Sequence, residues 1–253
     1  MNEILNCFNL PENALMKNRI AIKTIVEQMD ISKSDEKLLR SQISALYLVG
    51  ILDTETTLLK SIPIDGFLYE EIQIFFVELK TVSKNISLHN KLHVLFPNPT
   101  IFISKYQNIY TLSTSEKRIN QLDSSLAVVD NVYMTNKVDL YNEKYKFFLN
   151  ALDFNRYNYT NLYHVYETYQ NAIYSEKLIE LIGYYPKKLL VAEFIKDMLN
   201  MIADSETEIS RLKELNRETI SMSDKMAIYN EIKSENENIS KIIERIKEEI
   251  NNG

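Results

Sequence analysis

A chain of 253 residues with 45% hydrophobic and 25% charged residues has the composition of a globular protein and can bury a substantial core. A single cysteine excludes an internal disulfide and a multi-cysteine metal site, and four glycines leave no Walker loop or GxGxxG turn for a nucleotide. The net charge is −6 and no basic stripe is visible along the sequence, which disfavours strong unassisted binding of nucleic acid.

The sequence predicts a cytoplasmic location. Its longest nearly uninterrupted apolar stretch, residues 43–52, is far shorter than the roughly 20 residues that a membrane span requires. The first residues contain no basic region leading into an apolar one, so we expect no secretory signal.

The first elements are predicted to be helical. We expect a helical lead-in over ALMKNRIAIKTIVEQM, and then a short helix over Asp35–Gln42. Ser34 is the expected cap of this helix, because its side chain can accept a backbone N–H of the first turn.

Two strands and a longer helix are predicted next. The segments ISALYLVGILD and YEEIQIFFVELK are rich in β-branched and aromatic residues and have the length of buried strands. NISLHNKLHVLF then repeats apolar residues at helical spacing until Pro97 ends the pattern, which predicts a helix of about three turns.

Three further strands complete the first part of the chain. TIFISKY and IYTLSTSEK, separated by Gln107 and Asn108, are typical of a hairpin, and LAVVDNVYMT supplies another strand. This order of elements predicts an α+β fold in which a mixed or antiparallel sheet is covered on one face by a helix. We assign this α+β domain to residues 1–138.

Residues 139–191 are predicted to form an aromatic-rich helical linker region. Leu162, Val165, Tyr166 and Tyr169 recur at helical spacing. Aromatic residues in this pattern usually face a core, so we favour packing over a platform for stacking nucleic-acid bases.

Residues 192–253 are predicted to form a helical hairpin or coiled coil. They contain 14 acidic and 9 basic residues, a net charge of −5. Ile239, Ile243, Ile246 and Ile250 recur at three and four residues, which is typical of a coiled-coil seam. The segment SMSD, residues 221–224, interrupts the pattern with small polar residues, so we expect an antiparallel hairpin, with one continuous helix as the alternative. This seam could bind a partner, mediate self-association or pack on the α+β domain of the same chain.

Glu78 and Lys80 are candidate catalytic residues at the end of the second predicted strand. Strand alternation places both on one face, where a carboxylate could hold Mg²⁺ and an ammonium group could stabilise developing charge. The site also needs an acid on the neighbouring strand, and Asp53 is the best candidate. A tight turn at Asp65 and Gly66 would place Asp53 opposite Glu78, whereas a turn directly after Asp53 would separate them.

A second candidate, His89 and His93, has the spacing of a zinc-binding pair on a helix. The residues between them lack the glutamate of an HExxH motif, and no third ligand is evident. We therefore expect a surface-facing or hydrogen-bonded histidine pair and predict no metal and no cofactor here.

Several segments together resemble the family of domains of unknown function 4391. The resemblance runs in order through ISALYLVGILDTETTL, EEIQIFFVELK, KRINQLDSSLAVVDNVYMT, LDFNRYNYTNLYHVYE and the charged helical tail that begins EISRLKELNRE. Members are bacterial and archaeal proteins often encoded beside helicases and DNA methyltransferases, in clusters that resemble restriction or antiphage defence systems. The ELK ending looks like a recurring feature there, but the resemblance supplies no catalytic residues.

The resemblance implies a non-catalytic accessory subunit that binds a helicase or DNA methyltransferase, with nucleic acid possible within the complex. Whether the chain is an enzyme stays open, and a non-enzymatic role is favoured. The alternative is a metal-dependent nuclease that uses Asp53, Glu78 and Lys80 with Mg²⁺.

Overall fold

The structure, a computed structural model, describes residues 1–29, 31–64, 67–119, 127–187 and 192–252. The chain divides into two compact units, Met1–Lys177 and Leu178–Gly253. The predicted linker region, residues 139–191, is thus shared between the two units. Among the described residues, no helix is both long and apolar enough to cross a membrane.

The first unit combines helices and strands. Its helices are α1 (Asn2–Phe8), α2 (Ile22–Gln28), α3 (Lys33–Gln42), α4 (Thr54–Thr57), α5 (Asn85–Leu95), α6 (Lys146–Ala151) and α7 (Leu162–Ser175). Its strands are β1 (Leu15–Ile20), β2 (Ile43–Asp53), β3 (Ile62–Ile64), β4 (Phe67–Tyr69), β5 (Glu71–Leu79), β6 (Thr100–Tyr106), β7 (Ile109–Ile119), β8 (Ala127–Met134) and β9 (Val138–Asp139).

The main sheet is mixed, and the predicted α+β class is confirmed. Its strands lie in the order β1-β2-β5-β6-β7-β8, with β9 also paired to β7, while β3 and β4 form a small separate hairpin. Only the β5–β6 pair among these is parallel. The chain passes through α5 between these two strands, because parallel neighbours need a crossover connection.

One face of the sheet packs against α5 and α3. Alternate residues of β5 point to this face, and Phe75 and Val77 form a core cluster with Leu88 and Leu92 of α5 and Leu39 of α3. This packing explains the helical spacing of apolar residues in α5.

Helices cover the second face of the sheet as well, in addition to the predicted covering helix α5. Ile74 and Phe76 of β5 point away from α5 and are fully buried, and α7 contacts β5, β7 and β8. Tyr166 of α7 is also buried, and its hydroxyl donates to the carbonyl of Ser115 at 2.8 Å. A strand buried on both faces is apolar at nearly every position, which is why IQIFFVEL hardly alternates.

The prediction of a helical lead-in is only partly correct. Residues 15–20 form the edge strand β1, whose first five side chains are exposed, and only Ile22–Gln28 are helical in α2. Pairing with β2 outweighs the helical spacing of this stretch, since an edge strand needs no apolar face of its own. The next helix begins at Lys33, two residues earlier than predicted, because Ser32 rather than Ser34 accepts the backbone N–H of Asp35.

The second unit is helical, with α8 (Leu178–Ile182), α9 (Ala192–Glu218) and α10 (Met222–Asn252). The contacts between α9 and α10 include a hydrogen bond from Asn238 Nδ2 to Ser205 Oγ at 3.2 Å and the Arg245 guanidinium 5.6 Å from the centre of the Phe194 ring. From the first contact to the second, the residue number falls in α9, from 205 to 194, and rises in α10, from 238 to 245. The two helices are therefore antiparallel. The long helical C-terminal region is confirmed, and its break at residues 219–221 rules out a single continuous helix.

Candidate functional site

Asp53 ends β2 and caps a short helix. Its Oδ1 accepts hydrogen bonds from the backbone N–H groups of Glu55 at 2.9 Å and Thr56 at 2.8 Å, and its own N–H donates to Thr56 Oγ1 at 2.9 Å. Burial raises the pKa of Asp53, but these hydrogen bonds outweigh it and lower the pKa overall. The side chain is therefore the N-cap of α4, in a capping box with Thr56.

The strand register does not bring Asp53 to Glu78. Asp53 lies opposite Glu71, whereas Glu78 lies opposite Ala45. Eight residues of β2 separate Ala45 from Asp53, which at 3.3 Å per residue is about 26 Å. The convergence required for the predicted nuclease site is therefore absent.

The connection between β2 and β5 explains this register. The turn expected at Asp65 and Gly66 lies outside the described residues, but it is flanked by β3 and β4, which pair with each other and not with the main sheet. Helix α4 also occupies the residues directly after Asp53, so no tight turn begins there. A tight hairpin from β2 into β5 is thus not the connection that the chain makes.

Lys80 does not share the environment of Glu78. Strand β5 ends at Leu79, so the alternation of strand faces no longer fixes the direction of the Lys80 side chain. Its Nζ donates to the backbone carbonyl of Arg40 at 2.8 Å, and its backbone N–H donates to Gln42 at 2.7 Å. Lys80 therefore binds the C-terminal end of α3, where unpaired carbonyl groups favour a cation.

The residue beside Glu78 on the parallel strand is Lys105. Lys105 Nζ lies 3.7 Å from the carboxylate of Glu3 and 5.1 Å from the centre of the Tyr110 ring. Hydroxyl groups of Tyr141 and Tyr110 donate to the same carboxylate at 2.8 and 3.1 Å. These two hydrogen bonds, that of Tyr141 first, lower the pKa of Glu3.

This cluster attaches α1 to the sheet and was not predicted. About 100 residues separate Glu3 from Lys105 in the sequence, and neither lies in a motif, so no local pattern could have linked them. In the described part of the chain, no group of three or more His, Cys, Asp or Glu side chains is arranged to hold a metal ion.

The two helical histidines form a buried hydrogen-bonded network beneath α5. His89 Nδ1 lies 2.6 Å from Ser113 Oγ, His89 Nε2 lies 2.9 Å from Ser104 Oγ, and His93 Nε2 lies 2.8 Å from Ser113 Oγ. Burial lowers the pKa of His89 to about 4. Burial, followed by the charge of nearby Lys117, lowers the pKa of His93 well below its usual value.

One pair of neutral tautomers is consistent with all the hydrogen bonds of this network. Ser104 Oγ lies within donating distance of the Thr111 carbonyl at 3.3 Å, so Ser104 can accept the Nε2–H of His89. Ser113 then donates to His89 Nδ1 and accepts from His93 Nε2, which leaves His93 Nδ1 as a buried acceptor without a hydrogen bond. Both rings are thus bound by serines, and the pair is the hydrogen-bonded alternative to a zinc site.

A buried lysine and a small acidic pocket lie at the other end of β5. Lys117 donates to the backbone carbonyl groups of Phe96 and Asn98, and burial lowers its pKa to about 7. A pocket of about 320 Å³ is lined by Asp53, Leu68, Glu70, Glu71, Asn98 and Pro99. Glu71 Oε1 accepts from Asn98 and, at 2.6 Å, from Gln73. Two of its three acidic side chains, Asp53 and Glu71, therefore already bind neighbouring groups.

The four isoleucines of α10 that were predicted to bind a partner are fully or partly buried. Ile246 is fully buried, and Ile239, Ile243 and Ile250 are partly buried. Helix α10 contacts α9 and α8 of the same unit. The isoleucine seam is thus engaged within the chain, at least at Ile246, which the sequence alone could not distinguish from binding a partner.

The exposed apolar residues of the second unit concentrate at the bend between α9 and α10. We call five of them the tip patch: Leu215, Ile220, Met222, Met226 and Tyr229. Ile220 is 95% exposed and Met222 is 77% exposed. The sequence predicted only an interruption of the helical pattern at this bend, because the exposure of a side chain cannot be read from the segment SMSD.

Comparison with models of protein families gives a match over residues 8–239 to Domain of unknown function (DUF4391). Comparison with curated proteins and with solved structures gives no match. The matched residues include the whole main sheet, α7, α9 and the first half of α10. The chain therefore belongs to the family Domain of unknown function (DUF4391).

Proposed function

We propose that this chain is a non-catalytic accessory subunit of a bacterial restriction-like or antiphage defence system, and that it acts in the cytoplasm by binding a helicase or DNA methyltransferase. Family membership supports this proposal through the sequence resemblance described above. The single observation that carries the partner-binding part is the tip patch.

The tip patch has the chemistry of a protein-binding surface. Its five exposed apolar side chains all lie within residues 215–229, around one bend of the chain. Exposed apolar side chains that are concentrated in one region often mark a protein-binding site. Methionine is flexible and polarisable, and tyrosine combines a large apolar ring with a hydroxyl group, so Met222, Met226 and Tyr229 suit an interface. The complementary surface is an apolar groove on the partner protein.

The rest of the hairpin is suited to present this patch. Buried Ile202, Ile209 and Leu212 of α9 and Ile228 and Ile242 of α10 give the helix pair its own apolar interior. The exposed sides carry salt bridges within each helix, such as Arg211 to Glu208 at 2.6 Å. A hairpin stabilised along its length can hold its bend in a fixed shape.

The nuclease alternative lacks a supporting observation. Its three residues are spread over the sheet: Asp53 caps α4, Lys80 binds the end of α3, and Glu78 lies beside Lys105. We therefore do not propose cleavage as the function.

Phage plating on the native host separates the two hypotheses. A strain that lacks the gene is complemented with the wild type, with a tip variant carrying Ile220→Asp and Met226→Asp, or with Glu78→Ala. A matched control carries Leu58→Asp and Ile86→Asp, which change two exposed apolar residues of the first unit.

If the chain is an accessory subunit, the strain with the tip variant should lose protection against phage, whereas the strains with Glu78→Ala and with the matched control should keep it. Loss of protection by Glu78→Ala, with the tip variant fully active, would overturn the proposal in favour of catalysis. Equal loss by the tip variant and its control would remove the special role of the tip patch.

A further inference from the structure

Helix α3 carries a stripe of basic side chains on its outer side. Lys33, Lys37 and Arg40 are spaced by four and three residues and are exposed, while Leu39 and Gln42 on the opposite side are buried. Seven residues of helix separate Lys33 from Arg40, a rise of about 10 Å.

The connection between β5 and α5 extends this stripe. Lys80 Nζ lies 2.8 Å from the Arg40 carbonyl, so Lys80 adjoins the C-terminal end of the stripe. Lys84 follows at the start of α5, and both lysines are exposed. We call Lys33, Lys37, Arg40, Lys80 and Lys84 the basic surface.

Positive charge is concentrated on these two segments. Residues 33–40 and 80–91 contain six basic and two acidic side chains, an excess of four positive charges. The first unit as a whole, residues 1–177, contains 18 basic and 20 acidic side chains, a net charge of −2. The remainder of the unit therefore carries −6, and folding assembles a local positive surface that is not visible along the sequence.

Both acids in these segments are already paired. Glu36 accepts from Arg40 Nε at 2.7 Å, and Asp35 binds Lys91 at 2.7 Å. In the described residues, Lys33, Lys37 and Lys84 have no carboxylate within ion-pair distance. Their charges are thus available to a ligand.

We propose that the basic surface binds the phosphate backbone of a nucleic acid. Each strand of duplex DNA carries one phosphate per 3.4 Å of helix axis, so a stripe of about 10 Å has the length of about three such steps along the axis. Lysine is a flexible point charge, which suits contact with phosphates regardless of base sequence. The inference does not depend on which protein binds the tip patch.

Fluorescence anisotropy with a labelled DNA duplex and with a single strand of the same sequence tests the proposal. The full chain is titrated at several salt concentrations, beginning at about 50 mM. The surface variant carries Lys33→Gln, Lys37→Gln and Lys84→Gln. The control carries Lys213→Gln, Lys233→Gln and Lys241→Gln, which remove the same charge from exposed positions of the hairpin.

The surface variant should bind at least about tenfold more weakly, and the slope of log affinity against log salt should fall by about one for each phosphate contact removed. The control variant should keep the affinity of the wild type within about twofold, since only net charge changes. Comparison of the duplex and single-strand slopes shows which form is bound. Equal weakening in both variants, or no binding by the wild type at low salt, would overturn the proposal.

Discussion

Glu78 and Asp53 lie at opposite ends of the pairing between β2 and β5, because Glu78 is opposite Ala45 and Asp53 is opposite Glu71. Two acids that could form one site are therefore separated, and each has a different environment. At the Asp53 end, both Asp53 and Glu71 accept hydrogen bonds, whereas no hydrogen bond or ion pair within the described residues engages Glu78.

The two glutamates of β5 should differ in their effect on stability. Glu71→Ala removes the acceptor of the Gln73 and Asn98 amides and should lower the free energy of unfolding by about 1 to 2 kcal/mol. Glu78→Ala changes an exposed side chain and should stay within about 0.5 kcal/mol of the wild type. Urea denaturation measures both, and an equal loss in both variants would contradict these environments.

Asp53 should behave as a helix cap. Asp53→Ala removes the acceptor for Glu55 and Thr56 and should cost about 1 kcal/mol of unfolding free energy. Asp53→Asn keeps a side-chain oxygen and should restore most of that loss. Thermal or urea denaturation of the two variants makes the comparison, and equal losses would show that the negative charge rather than the cap is what matters.

Local patterns in the sequence predicted local structure well. Phe75, Val77, Leu88 and Leu92 are buried because the strand and helix periods of their segments place them on a core face. The spacing of Leu162, Val165, Tyr166 and Tyr169 likewise indicated burial in α7. Gln107, which has a positive φ of 55°, lies at the predicted β6–β7 turn.

Long-range geometry was not predictable in the same way. The residue of β5 that lies opposite Asp53 depends on the length of the connection between β2 and β5, and helix α4 is part of that connection. Lys80 and Arg40 meet only because α3 leads directly into β2, which pairs with β5. The Glu3–Lys105 contact joins segments with no sequence signal in common.

Acid should destabilise the protein through the two buried histidines. In the unfolded chain each histidine gains a proton near pH 6.5, whereas the folded protein keeps His89 neutral down to about pH 4. The unfolded state therefore binds more protons in this range, and the stability present above pH 6.5 is lost as pH falls. The contribution of His89 corresponds to about 3 kcal/mol over the whole interval, and His93 acts in the same direction.

Urea denaturation between pH 4 and 7 checks this dependence. His89→Gln should make the free energy of unfolding depend less on pH, because the variant has one fewer histidine to protonate on unfolding. His164→Gln, at a position that is not buried, is the matched control and should follow the wild type. A curve for His89→Gln that is as steep as the wild type would contradict the buried neutral ring.

Substitutions at Ile246, in the hairpin interior, and at Ile220, in the tip patch, should differ in their effect on the free energy of unfolding. Ile246→Ala creates a cavity at a fully buried position and should cost about 2 to 5 kcal/mol. Ile220→Ala changes a side chain that is 95% exposed and should stay within about 0.5 kcal/mol. Circular dichroism during urea denaturation measures both. A small loss for Ile246→Ala would place the isoleucine seam outside the packed interior and return it to the candidates for partner binding.

The central claim, an accessory subunit in a defence complex, is tested most directly by mass spectrometry of a tagged copy purified from the native host with neighbouring genes intact. The account predicts stoichiometric recovery of a helicase or DNA methyltransferase with the wild type, and its loss from the Ile220→Asp, Met226→Asp variant. Recovery of the chain alone, from cells that produce those neighbouring proteins, would contradict it.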